Sequence, residues 1–97
     1  MDWYTSMLNF VRTVDTGSLA KAARELDVVP SAISKSITRL EQCAGVQLLE
    51  RSTRTLVPTE EGWAFYLAAK EAINVTKAAL DTIKPLANRA REDEVST

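Results

Sequence analysis

Ser31, Ser34, Lys35 and Thr38 recur at i, i+3, i+4 and i+7 after Pro30, with Arg39 at their flank and no acidic residue from Val28 to Leu40. On an α-helix those offsets share one face. Short hydroxyl side chains permit close approach and bond to phosphates or base edges, and Lys or Arg meets phosphate or guanine. The chemistry this face suits is contact with the major groove of duplex DNA. A Ser/Lys face is otherwise simply a solvated surface, so the surrounding elements have to decide. Arg39 has a further alternative, an ion pair with an acid on its own helix.

Stepping outward along the chain, Met7, Phe10, Val11 and Val14 form the apolar stripe of a first helix from about Trp3 to Asp15, ended by Thr16-Gly17. Ser18 is an N-cap for a short second helix, Leu19 to Leu26, whose small pair Ala22-Ala23 suits a close helix crossing. The cap is the primary role of Ser18; a phosphate contact at that helix start is a secondary one. After the connection Asp27-Val28-Val29, Pro30 opens a third helix, where its missing N–H costs nothing. Ile33, Ile37 and Leu40 turn one side of this helix inward, Ala44 follows, and Gly45 stops it. The spacing is that of a helix-turn-helix, and Pro30, at the start of its recognition helix, joins the candidate DNA contacts.

Val46 to Leu49 and Thr55 to Val57 are β-prone runs separated by Glu50 to Arg54, which predicts a hairpin with Arg51 and Arg54 crowding its tip. Cations there suit a DNA backbone or minor groove; solubilising charge is the alternative for both, and an internal ion pair a further one for Arg51. Pro58 is expected to stop the second strand. Thr59 then caps a long helix, with Glu60 and Glu61 favouring its positive end.

Along that helix Tyr66, Ala69, Ile73, Thr76, Leu80 and Ile83 alternate by three and four, a spacing that predicts pairing with a second copy. Trp63 and Phe65, with Tyr66, are expected to pack between this helix and the domain. Pro85 should end or kink the helix near Lys84, leaving a charged, frayed tail from Arg89. The expected organisation is a DNA-binding domain over 1–58, a linker and dimerisation helix over 59–88, and a tail over 89–97.

Composition narrows the alternatives. Of 97 residues, 45% are hydrophobic and 26% charged, ordinary values for a single soluble domain. No histidine is present and Cys43 is the single cysteine, so no cofactor, zinc set, internal disulfide or imidazole catalysis is expected; Cys43 itself is expected to be a buried or half-buried small residue. No stretch resembles a signal peptide or membrane span, which points to the cytoplasm and the nucleoid. A net charge of −1 opposes nucleic-acid binding unless the cations are gathered on one surface.

Phe10-Val11-Arg12-Thr13-Val14, Gly17-Ser18-Leu19-Ala20-Lys21-Ala22-Ala23, Pro30 to Ile37 with Arg39-Leu40-Glu41, and Gly45-Val46-Gln47-Leu48-Leu49-Glu50-Arg51 together resemble the N-terminal domain of LysR-type transcriptional regulators over about residues 3–84. The resemblance implies a mainly α winged helix-turn-helix, with a three-helix core, a two-stranded wing and a long C-terminal linker helix. It also implies a recognition helix near Pro30 to Ala44, a wing bearing Arg51 and Arg54, and a homodimer on an imperfectly palindromic promoter.

Further implied partners are RNA polymerase and, in a C-terminal effector domain outside these residues, a small-molecule inducer; a tetramer is open for the full-length protein. Another winged-helix family, the MarR type, dimerises through helices at both ends, whereas here the long helix directly follows the wing. One departure stands out: the position before Pro30, usually Ser or Thr in the family, is Val29. That predicts a loss of about 1 kcal/mol at the helix start, or a substitute cap from Ser31 or Asp27, and removes Val29 from the expected contacts. The competing function is a protein-interaction module that uses the winged domain as scaffold and the linker helix as its binding surface.

Overall fold

The computed structural model describes residues 2–50 and 56–95, with side chains to residue 85. Helix α1 spans Trp3–Thr16, α2 Leu19–Leu26, α3 Pro30–Ala44 and α4 Glu60–Val95; strands β1, Leu49–Glu50, and β2, Val57–Pro58, lie between α3 and α4. This is a winged helix-turn-helix extended by one long helix.

Each helix boundary has a local cause. Asp2 caps α1, accepting from the Thr5 amide at 3.3 Å and from the Thr5 hydroxyl, and Gly17 closes that helix at φ 69°. Ser18 Oγ accepts from the Lys21 amide at 3.2 Å, which is the cap expected for α2. Asp27, in the left-handed region at φ 56°, ends α2 by donating its N–H to the Ala23 and Arg24 carbonyls; among non-glycine residues Asp is one that tolerates this conformation. Because Asp27 serves as a stop, it does not act as a substitute cap for α3. No side chain caps that helix start at Val29, and Pro30 begins α3. Gly45 ends it at φ 75°.

The two strands pair as the expected wing. Among the described residues Leu49 and Glu50 pair with Pro58 and Val57, antiparallel, so Pro58 belongs to the second strand instead of stopping it. Its ring removes one donor, which a terminal ladder position tolerates. The intervening residues, including Arg51 and Arg54, lie outside the described residues.

The start of the wing is tied to both neighbouring helices. Glu41 of α3 accepts from the Leu48 amide at 2.8 Å and the Leu49 amide at 3.4 Å. The Leu48 carbonyl accepts from the Thr59 amide at 3.0 Å. Thr59 donates its hydroxyl to the Gln47 carbonyl at 2.6 Å and accepts from the Gly62 amide at 2.9 Å, so the expected cap of α4 is present.

The main core gathers Phe10, Ala22, Ala23, Ile33, Ile37, Leu40, Leu48 and Leu49. Ala22 and Ala23 are essentially sealed, which lets α2 approach its neighbours closely. Phe65 of α4 meets Phe10 with ring centroids 5.3 Å apart, fixing the long helix to α1.

A second cluster joins Val11 of α1 to Ala69 and Ile73 of α4, and here the structure corrects the dimerisation stripe. Ala69 and Ile73 are 1% and 4% exposed, covered by their own chain. Tyr66 is half-buried and donates its hydroxyl to Asp15, while Thr76 is half-buried beside exposed Leu80 and Ile83. A three-four repeat reveals an apolar face but not which molecule covers it.

Three smaller expectations also change. Trp63 is 49% exposed, meeting Tyr66 edge-on rather than entering the core, and Cys43 is exposed. Pro85 lies inside α4, and the helix continues to Val95 instead of ending near Lys84 and giving way to a tail. A proline removes one backbone bond and crowds one preceding carbonyl, a local defect that need not end the bonding of later turns.

Candidate nucleic-acid interface

Helix α3 packs inward through Ile33, Ile37 and Leu40, all 5% exposed or less. Its opposite side therefore has to face outward. Ser31, Lys35 and Arg39 are exposed on it, with Ser34 and Thr38 half-buried along its edge. The Thr38 hydroxyl donates to the Ser34 carbonyl at 2.9 Å. Pro30 is exposed at the leading end.

Among the described residues Arg39 has no acid paired with it on α3, so the ion-pair alternative does not occur there. Lys35 and Arg39 border a cleft between α3 and the beginning of α1, with Thr5, Ser6 and Ser36 beside them. A Ser36 to Ser6 hydroxyl bond of 3.1 Å ties the two walls together. Asp2 also lines this cleft, but its carboxylate is engaged in capping α1. The two Thr5 hydrogen bonds, the hydroxyl first, hold that carboxyl below the ordinary 3.8.

Lys35, Arg39, Arg51 and Arg54 fall in acid-free stretches of sequence, 28–40 and 51–59. Elsewhere, α1, α2 and α4 hold acids against cations. Arg12 pairs with Glu25 at 2.6 Å and Asp15 at 3.2 Å, and Asp15 accepts from Tyr66, whose oxygen also accepts from Lys70 at 3.2 Å. The Lys70 ammonium is raised above its usual range, first by that hydrogen bond and then by charge. This chain of contacts joins α1, α2 and α4 and was not visible as a sequence motif, since its members lie up to 58 positions apart (Arg12 to Lys70).

Ser18 is half-buried and committed to its cap. No sequence motif marks Glu41 as the tie to the wing or Gly62 as a close-approach site. The signal for Gly62 was faint: a glycine in the first turn of an otherwise strong helix.

The chain matches "Bacterial regulatory helix-turn-helix protein, lysR family" over residues 5–63. It is 38% identical over 73 residues to the probable HTH-type transcriptional regulator LtrA of Klebsiella pneumoniae, covering 75% of this chain and 24% of that protein. It therefore spans about a quarter of that relative's length. Two solved structures are similar in fold and sequence: the BenM_DBD/catB site 1 DNA complex, at TM-score 0.82 and 32% identity over 87% of this chain and 94% of that one, and the CbnR_DBD–DNA complex, at TM-score 0.78 and 30% identity over 87% and 97%. With its capped helix pair, inward-packed third helix, two-stranded wing and long fourth helix matched in sequence and in three dimensions, this chain belongs to the LysR family of bacterial regulatory helix-turn-helix proteins.

Proposed function

We propose that this chain binds duplex promoter DNA in a sequence-specific manner, as the DNA-reading part of a LysR-type transcription regulator, with α3 in the major groove. The observation that carries the reading is the outward side of α3: Ser31, Lys35 and Arg39 exposed, Ser34 and Thr38 at its edge, and no acid from residue 28 to 40. Small side chains admit the groove wall, hydroxyls and cations meet phosphates and base edges, and the buried Ile33–Ile37–Leu40 side fixes the orientation. Similar chains of known structure are DNA complexes, which favours this reading over a protein-interaction module.

Arg51 and Arg54 extend the proposed contact to the backbone beside the wing, Pro30 brings the start of α3 close, and Ser18 presents the start of α2. The active form is a homodimer. Its seam uses the part of α4 not consumed by the chain's own core, with Thr76, Leu80 and Ile83 facing the second copy. Two α3 helices then reach half-sites about one helical turn, or a small multiple of it, apart.

Fluorescence anisotropy with a duplex selected from a random pool and a scrambled duplex, across a salt series, tests the reading. Preference for the selected duplex, affinity falling steeply with salt, and weaker binding in Lys35→Ala and Arg54→Ala are the expected results. Equal weak binding to both duplexes, unchanged by either substitution, would overturn it in favour of the interaction module.

A further inference from the structure

Immediately before the recognition helix, Val28 and Val29 are 45% and 62% exposed. Single exposed valines are common, but these two are adjacent, continue into exposed Pro30 and Ala32, and stand at the end of α3 that leads into a groove in helix-turn-helix docking. Their backbone is pinned on both sides. The Val28 amide donates to the Ala23 carbonyl at 3.0 Å, and the Val29 carbonyl accepts from the Ala32 amide at 3.1 Å. Val29 itself is extended, at φ −82° and ψ 147°, and its side chain makes no cap. A β-branched side chain on a fixed backbone has little rotameric freedom to lose on contact.

Valine can neither donate nor accept a hydrogen bond, so at a base edge it can distinguish one feature of the major groove, the 5-methyl group of thymine. Resting on the DNA-binding reading above, we infer that Val29 is a specificity-determining residue that reads a thymine methyl in each half-site, with Val28 and Ala32 closing water out around it. The missing cap at this helix start then has a counterpart in base readout: a Ser or Thr hydroxyl capping α3 would place a polar group where this chain presents methyls.

The test is a double-substitution cycle with the intact chain. Each thymine in one half-site of the selected duplex is replaced in turn by uracil, which removes only the methyl, and binding is measured for the natural protein and for Val29→Ala, whose folding is checked by circular dichroism. One thymine is expected at which uracil weakens the natural protein by roughly threefold to fivefold, about the worth of one buried methyl, while Val29→Ala binds the thymine and uracil duplexes equally. A uracil effect of the same size in both proteins, no uracil effect at any position, or selected sites without thymine near the start of α3 would overturn the assignment while leaving the DNA-binding reading intact. Absence of any preference for the selected duplex would remove both.

Discussion

Gly62 → Ala sets two effects of opposite sign against each other. On helix propensity alone, alanine in the first turn of α4 should stabilise the protein by up to about 1 kcal/mol. The tertiary contact says otherwise: a Cβ at this position would lie 2.0 Å from the Leu48 carbonyl oxygen, 2.9 Å from its carbon and 3.2 Å from Pro58 Cβ. Leu48 cannot easily retreat, since its carbonyl accepts from the Thr59 amide and its own amide donates to Glu41. Relieving the clash must therefore shift α4 relative to the wing or break the bonds that join α3, β1 and the α4 cap. Overpacking with backbone displacement costs about 1–3 kcal/mol, and losing one such bond adds about 1 kcal/mol. After subtracting the propensity gain, a net loss of about 2 kcal/mol is expected, equivalent to a fall in Tm of about 8–16 °C in a domain of this size. Urea denaturation followed by circular dichroism, with exposed Ala68 → Gly as a propensity control, gives the sign directly. A Gly62 → Ala protein as stable as the natural one, or more so, would refute the reasoning.

At the uncapped start of α3, Val29 → Ser should restore a side-chain acceptor and raise stability by about 0.5–1 kcal/mol, seen as a higher urea midpoint at unchanged slope; an unchanged or lower midpoint would mean that the backbone there cannot use a cap. Leu80 → Asp with Ile83 → Asp should shift the protein from dimer to monomer in sedimentation while leaving the circular dichroism spectrum intact, because both side chains are exposed within one chain; persistence of the dimer would move the seam to another face of α4. The Asp2 carboxyl, held below its ordinary 3.8 by Thr5, makes a contribution that is full above that value and disappears as pH falls through the lower folded value. Amide exchange in the first turn of α1 should therefore speed up, beyond its intrinsic pH dependence, at strongly acidic pH, and Asp2 → Asn should flatten that change.

The bounds of α1 to α3, the start of α4 and the outward side of α3 were legible in the residues themselves. Ser18, Pro30 and Gly45 are local signals whose effect depends on neighbouring backbone, and the inward set Ile33, Ile37 and Leu40 determines the opposite side by periodicity alone. The family resemblance rested on the same local patterns.

What required tertiary structure was the identity of each partner. The repeat along α4 could be covered by a second copy or by the chain itself, and only the packing of Ala69 and Ile73 against Val11 divides it into an internal part and a protruding part. Likewise, the Arg12–Glu25–Asp15–Tyr66 network, the Glu41 tie to the wing and the clash that excludes a side chain at Gly62 all join residues of different elements. Sequence period encodes which way a side chain points along its own element; which surface it meets is set by how the elements close on one another.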